Sequence, residues 1–560
     1  MLGLNRPGDP TDQWHLEQLL KMRFGAADSE NLLDLYRENW IQPRDFQIIR
    51  QWGFNVVRLP FDSALLEDGT APGTLRPDAF HWLDRAQKMA ADAGIYLILD
   101  MHGAPGGQSI DACTGRAGQN ALWLPENRRR AAAIWKQIAA HYASSPVIAG
   151  YDLLNEPYGN NDSEDDDEAL TGTVAELVQA IREADTAHVI FCPGSKRGIA
   201  VYGSPASHGW HNVGFTEHSY AWLFGTGEPT LETHAAVLTR DLENRADLLR
   251  SWQAPFLLGE FNVVWDMAGG GAMMRRYYDT AASHGWAATM WCYKLVKAEP
   301  GAAPNAWYML TNRDPLSIPD FNTAPREAIA DFFKQLGAME YSQQDELRAA
   351  LIAPVPPALT LHTYPRLPAP PAQTLPPSVE AEDIGDAFPK GGQSFTGHGT
   401  LDVYGGGRDV YENRDEFHFV SHPANGGFQA STGVTPPVPT ARYAKAGLMF
   451  RADSAADAPL AMISVTPDDE CKFAFREKPG GRIHEQVLAA PGETRTICLT
   501  RVGQIFEARA LNADGRVITS GSASLPELPA QGRLGLFVCS HNVLSLSKAS
   551  FTGTVITEKN

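Results

Sequence analysis

The sequence predicts an α/β chain: a (β/α)8 TIM barrel followed by an antiparallel β-sandwich of the jelly-roll kind. Three observations carry this. Up to residue 352, continuous apolar runs alternate with longer amphipathic stretches, the pattern of parallel strands covered on both faces by helices. Seven such units within roughly 340 residues fit a barrel better than an open sheet. Past residue 378 the texture changes to short alternating runs between turn residues, the mark of a sandwich.

The strand candidates are "NVVRL" (55–59), "IYLILD" (95–100), "IAGYDLL" (148–154), "HVIFC" (188–192), "VGFTE" (213–217), "PFLLGE" (255–260) and "AATMW" (287–291). Helical patterns lie between most of them, at 78–92, 127–142, 170–184 and 268–284. The count is one short of eight. A first strand should precede residue 43, but 1–42 reads as helix and loop, in "DQWHLEQLLKMRFG" and "SENLLDLYRENW". A start assigned downstream of the true one is the expected explanation. The barrel is expected over 1–352. The proline-rich stretch 353–377, which lacks donors and favours polyproline II, is expected to be a semi-rigid linker. The sandwich is expected over 378–560, with runs such as "EFHFVSHP", "AKAGLMFRAD", "LAMISVTPD", "CKFAFREK" and "GRLGLFVCS" as strands.

Composition narrows the function. At 560 residues the chain needs two or three cores, and 43% apolar with 20% charged residues is ordinary for a globular protein. A formal charge of −19 repels nucleic-acid phosphates but is indifferent to a neutral polysaccharide. No apolar run approaches bilayer length, so no membrane partner is expected. The six cysteines form no CxxC pair, which leaves zinc and a disulfide scaffold unsupported; free thiols and no cofactor are expected. "MLGLNRPGDP" has no basic segment followed by an apolar one, so the chain is cytoplasmic by default, or secreted or periplasmic if its start is trimmed. The acidic run "NNDSEDDDE" (160–168) reads as a solvated loop before a helix and lacks the glycine and spacing of a calcium loop.

In a barrel of this kind catalytic groups sit at the C-terminal ends of strands. Those ends carry Arg58, His102, Asn155 and Glu156 (in "NEP"), His218 and Tyr220 (in "HSY"), Glu260 and Trp291. Two glutamates on strands about three positions apart would face each other across the barrel mouth, and paired carboxylates in a cleft are the minimal apparatus for breaking a glycosidic bond. Singly, Arg58 reads equally well as a structural ion pair, His102 and His218 as structural histidines and Trp291 as core. A strand that ends on Asn155, Glu156 and Pro157 is harder to explain structurally, because a buried carboxylate needs compensation that a fold alone has no reason to supply. Trp123, Trp210, Trp222, Trp265 and Trp307 follow strands and are candidates for further subsites or for packing.

Taken in order, this set resembles glycoside hydrolase family 5 over roughly residues 12–340. "DMHGAPGGQ" (100–108) further resembles the corresponding loop of exo-β-1,3-glucanase-like members. The resemblance implies a retaining β-glycosidase acting on β-glucan or β-glucosides. Glu156 would be the acid/base and Glu260 the nucleophile, with Arg58, His102, Asn155, His218, Tyr220 and Trp291 binding substrate or supporting the acids. An acid of this type needs a raised pKa, and a nucleophile needs cationic and hydroxyl donors, for which Arg58 and Tyr220 are candidates. A β-mannosidase, a glucosylceramidase-like enzyme and a non-catalytic glycan-binding protein are the alternatives. The C-terminal region resembles concanavalin-like modules found beside carbohydrate enzymes, as a glycan binder or as a support for the barrel.

Overall fold

The computed structural model describes residues 8–158, 164–195, 198–220, 230–263, 268–298, 308–359, 367, 375–376, 378–397, 399–411, 414–489, 494–542 and 545–559. Most of the proline-rich stretch, part of the acidic run, and Trp222, Trp265 and Trp307 lie outside them. The chain divides into two compact units, the first within 1–220 and 238–359, the second within 221–237 and 360–560. No helix among the described residues is long and apolar enough to cross a membrane.

Three helices open the first unit: α1 (Gln13–Phe24), α2 (Ala26–Trp40) and α3 (Pro43–Gln51). Asp12 caps α1, and proline at the start of α3 stands where a missing N–H costs nothing. The described residues before 43 therefore form helices and no strand. Seven parallel strands follow: β1 (Val56–Asp62), β2 (Tyr96–Gly103), β3 (Ile148–Asp152), β4 (Val189–Pro193), β5 (Val213–Ser219), β6 (Phe256–Phe261) and β7 (Ala287–Ala288). They pair in chain order into one curled sheet of the (β/α)8 type. Between them run α4 (His81–Ala93), α5 (Pro125–Tyr142), α6 (Glu164–Arg182) and the helices Leu242–Trp252 and Gly270–Ser283.

Ile98, Phe191 and Leu257, from β2, β4 and β6, form a buried layer with Val56, Ala149, Val189 and Ala287 packed against it. Apolar side chains thus fill the sheet's inner face below its C-terminal ends, and only those ends are left to hold polar groups. Side chains join the segment before β1 to the segment after β7. Tyr293 and Tyr341 hydroxyls both donate to Asp45 Oδ1 at 2.8 Å, and the buried Lys294 ammonium lies 3.5 Å from Oδ2. Burial pulls the Lys294 pKa down to about 8 against the opposing charge of Asp45.

The second unit holds two seven-stranded antiparallel sheets, which form a β-sandwich. Phe428, Ile497, Leu499 and Phe506 from one sheet pack with Phe450, Ile463, Phe473 and Leu536 from the other in one core. The strands whose runs the sequence shows clearly, such as Lys445–Arg451 and Leu460–Val465, are buried at every position. Beside that core Asp415 takes one guanidinium nitrogen of Arg451 at 3.0 Å and two of Arg476 at 2.8 Å each, all three side chains being fully buried. Removing the shared carboxylate would strand two cations, which typically costs about 3–5 kcal/mol. Asp415→Ala is therefore expected to lower the unfolding free energy of the sandwich, read from its denaturant transition, by that amount while barrel fluorescence transitions stay in place. A loss under 1 kcal/mol would show that the two arginines do not depend on it.

Candidate active site

The C-terminal ends of β1, β2, β3, β5 and β6 converge on one buried guanidinium. Arg58 on β1 donates from Nε to Asp152 Oδ2 at 2.7 Å, from Nη1 to Glu260 Oε1 at 2.8 Å and from Nη2 to Asn155 Oδ1 at 3.0 Å. Asp100 Oδ1 lies 3.1 Å from Nη2 without making a hydrogen bond. Burial works against a charged guanidinium, but Asp100, Asp152 and Glu260 outweigh it and hold the Arg58 pKa above its ordinary value. Burial, with Asp100 beside it, pushes Asp152 up to about 6 despite Arg58. In Asp100 burial is overcome by Arg58 and His102, and its pKa falls.

Glu260 is the meeting point of two donors. Arg58 holds Oε1, and the Tyr220 hydroxyl donates to Oε2 at 2.8 Å. Glu260 follows Gly259, where an added Cβ would lie 2.5 Å from Thr216 Oγ1 and 3.1 Å from the His218 ring. Only glycine lets β6 approach β5 closely enough to bring Glu260 level with His218. Glu156 has φ +42°, a left-handed conformation that a side chain rarely adopts. Its neighbour Asn155 is anchored by a hydrogen bond from its N–H to Met101 O at 3.2 Å. The strand thus stops in a strained corner that turns the Glu156 carboxylate into the cleft.

His218 Nδ1 stands 2.8 Å from Glu156 Oε1 and 3.6 Å from Glu260 Oε2. Ligand atoms of Glu156, His218 and Glu260 all lie within 4.8 Å of one another. Among the described residues this is the one cluster with metal-ligand spacing. Its atoms are already engaged by Arg58, Tyr220 and each other, and the neighbouring guanidinium disfavours a cation. Here the structure corrects the expectation of a raised acid. Burial raises the Glu156 pKa, but His218, His102 and Arg58 lower it further, so the net shift is downward. His218 moves up: burial opposes its charge, but the two glutamates favour it. The two opposite shifts favour the imidazole over the carboxyl as the protonated member of this pair.

His102 Nδ1 bonds Asp100 Oδ2 at 2.7 Å, and its ring stacks parallel to Trp291 with 5.5 Å between centroids. Asn262 donates to the Trp291 carbonyl. Trp123 and Trp210 are placed apart from this cluster: Trp123 Nε1 donates to Asn120 at 2.7 Å, and Trp210 stacks on His208. Asp100, Gln108, Cys113 and Asp152 are the residues that sequence reasoning left out. Gln108 is fully buried and donates to the carbonyls of His102 and Asn155, at 2.8 Å each, while accepting Ala104 N at 3.0 Å. The Cys113 thiol faces Glu156 Oε2 at 3.7 Å. Both aspartates were visible as carboxylates inside apolar strand runs; Gln108 lay at the end of "DMHGAPGGQ" with no role read for it, and nothing in the sequence marked Cys113.

Residues 26–295 match the family model for cellulase, glycosyl hydrolase family 5. The barrel carries this match and is similar to the glycosyl hydrolases of that family. Relatives of this domain include a Phanerodontia chrysosporium protein named β-xylosidase, 30% identical over 49% of this chain and 56% of its own length. Endoglucanase C of Acetivibrio thermocellus is 29% identical over 30% of this chain and 45% of its own length. Glucan 1,3-β-glucosidase 1 of Schizosaccharomyces pombe is 28% identical over 27% of this chain and 36% of its own length. The chain thus matches about half or less of each relative. Among solved structures, Thermotoga maritima Cel5A in complex with mannotriose aligns with 45% of this chain and 83% of its own at 19% identity, with a TM-score of 0.38.

Gln108 acts through the residues it holds. Gln108→Leu is expected to fold, and to lower kcat by about 10²-fold, as displacements of about 1 Å in an active site do. A folded variant with wild-type kcat would remove its positioning role.

Proposed function

We propose that this chain is a retaining β-glycoside hydrolase acting on β-glucan or β-glucosides, with Glu260 as nucleophile and Glu156 as acid/base. The observation that carries the proposal is the pair of carboxylates with oxygens within 4.8 Å, one pinned by Arg58 and Tyr220, the other hydrogen-bonded to His218. A separation near 5 Å suits double displacement, whereas an inverting site needs roughly 6.5–9.5 Å to admit a water. The names of the relatives, which include a β-xylosidase, an endoglucanase and a glucan 1,3-β-glucosidase, support β-linked sugars as the substrate class.

In the first step a Glu260 oxygen attacks the anomeric carbon and the bond to the leaving oxygen breaks. Glu156 gives that oxygen its proton. Arg58 and Tyr220 hold Glu260 aimed until it becomes a glycosyl ester. The Glu156 carboxylate then takes a proton from water, the hydroxide attacks the same carbon, and the ester bond breaks. Asn155, tied to Arg58, is placed to hold a sugar hydroxyl beside the reacting carbon. The His102–Trp291 stack supplies a flat wall for the ring. The proton that Glu156 needs lies on His218, 2.8 Å away, so transfer along that hydrogen bond arms the acid once substrate has excluded water. We also propose that residues 378–560 are a concanavalin-like accessory module. Retention on insoluble β-glucan after the barrel site is esterified by a 2-fluoroglucoside would show that the module binds glycan.

Variants separate the two glutamate roles. Glu260→Ala should abolish turnover of every substrate. Glu156→Ala should keep the first step for dinitrophenyl β-glucoside, and azide should release a β-glucosyl azide. Recovery of a β-azide from Glu260→Ala, and of an α-azide from Glu156→Ala, would reverse the assignment.

The shared proton predicts a pH profile. Because His218 is raised from 6.5 by its glutamate partners, the His218–Glu156 pair keeps one proton until the pH exceeds the ordinary histidine range. The basic limb of kcat/KM should lie above 6.5 in the wild type. It should move to lower pH in His218→Gln, where Glu156 must hold the proton alone. An unmoved basic limb would refute proton sharing.

A further inference from the structure

One buried carboxylate, Asp100, takes no step in the hydrolysis described above. It stands on β2, two residues before His102, and is fully buried. The register between β1 and β2 shifts there: Phe61 pairs with Met101 and Asp62 with Gly103, so β2 has one residue, His102, more than β1. A bulge of this kind re-aims a side chain. The backbone around it is held on both sides. At Gly103 an added Cβ would lie 2.5 Å from Asp62 Oδ2, so the chain past the bulge closes against β1. Gln108 donates to the His102 carbonyl at 2.8 Å.

The imidazole is held as firmly as the backbone. Its Nδ1 meets Asp100 Oδ2 at 2.7 Å, and one ring face lies parallel to Trp291, with 8° between the planes. Nε2 has no hydrogen-bond partner among the described residues, and the side chain is not fully buried. Asp100 decides which nitrogen carries the hydrogen. Burial opposes its charge, but Arg58, with Nη2 3.1 Å from Oδ1, and His102 overcome it and lower its pKa. An ionised carboxylate only accepts hydrogen bonds, so the hydrogen in the 2.7 Å bond belongs to Nδ1. Arg58 supplies the charge that Asp100 needs, and the ring supplies a hydrogen. In a neutral imidazole held this way Nε2 is a bare acceptor, the state set by the bond that the other nitrogen makes. Arg58 and Tyr220 offer donors in the same cleft. A bare nitrogen takes the one thing that they cannot, the hydrogen of a hydroxyl.

We propose that Asp100 is a positioning residue: it fixes the hydrogen of His102 on Nδ1, so that Nε2 accepts a hydrogen bond from one sugar hydroxyl beyond the one that Asn155 is placed to hold, and sugars unable to donate there are turned over more slowly. The proposal rests on the hydrolase function inferred above.

The test uses the full-length protein, His102→Ala and Asp100→Asn. Nitrogen NMR of protein labelled in its histidine rings reads the tautomer, the His102 signals being those lost in His102→Ala. Above the ordinary histidine range the wild type should carry hydrogen on Nδ1 and none on Nε2. In Asp100→Asn, Arg58 claims the amide oxygen and the amide hydrogen faces Nδ1, so the hydrogen should move to Nε2. A wild-type ring with hydrogen on Nε2 overturns the proposal, whether or not Asp100→Asn folds and whether or not the chain hydrolyses glycosides. Kinetics then read kcat/KM for 4-nitrophenyl β-glucoside against its 3-, 4- and 6-deoxy analogues. At one position the preference for the hydroxyl should be at least about fivefold greater in the wild type than in His102→Ala. The deoxyfluoro analogue at that position accepts hydrogen bonds but donates none. Relative to the glucoside, Asp100→Asn should turn it over at least about fivefold better than the wild type does, whereas a merely structural defect would slow both compounds alike. The same preference in His102→Ala at all three positions, or an unchanged fluoro ratio in Asp100→Asn, overturns the role and leaves the hydrolase intact. If the wild type cleaves none of these compounds, it is the hydrolase function that fails, and the NMR arm alone decides whether Asp100 sets the ring.

Discussion

Everything at the mouth of the barrel depends on the burial of one guanidinium. Arg58 reaches Asp152, Glu260 and Asn155 directly and Asp100 by charge, so a single cation ties together the ends of β1, β2, β3 and β6. Neither side of this cluster is stable alone. A buried arginine without its carboxylates, or three buried carboxylates without arginine, would carry a desolvation cost of several kcal/mol per ion. Arg58 therefore has no choice between structural pair and catalytic group. The structural demand for charge balance is what fixes Glu260 between Arg58 and Tyr220.

The second carboxylate is handled in the opposite way. Glu156 has no arginine of its own; its partner is a histidine that can give a proton back. A downward shift in Glu156 with an upward shift in His218 describes one proton held between two sites, and the strained φ of Glu156 keeps it within reach of that proton. The two glutamates are thus separated in role by the chemistry of their partners. A permanent cation and a tyrosine hydroxyl stand at one, and a titratable imidazole at the other.

The strands and helices of the barrel were legible because burial on both faces leaves parallel strands no polar positions, and the apolar runs show through. The cluster of polar side chains at the strand ends was legible because strand ends are where polar residues interrupt those runs. What the sequence hid was hidden for physical reasons. Gln108 works through backbone carbonyls, and a carbonyl leaves no trace in the residue that offers it. The direction of the Glu156 shift depends on which imidazole nitrogen lies 2.8 Å away, a tertiary fact. In the second unit the strand Val517–Ser524 was missed because it is an edge strand whose residues are mostly small, polar and exposed. Ser547–Lys559 was missed although it pairs on both sides, because its outer face is polar and its inner face is short.

One loop carries two duties. The chain from His102 to Gln119 holds Gln108 under Asn155 and His102, sets Cys113 against Glu156, and then forms a wall of a neighbouring cavity with Gly115 and Arg116. Residues 103–109 of the first part are mostly buried and Gln108 makes three hydrogen bonds there, so they tolerate little. In the second part the backbone is bonded to α1 and Arg116 lies over the Trp14 ring, away from the groups that hold the glutamates. Substitutions at Arg116 or Gln119 can alter the lining of the cavity without touching the donors that position the glutamates. Substitutions at Gln108 cannot. The same loop thus divides into a half that holds the strand ends and a half that lines the cavity.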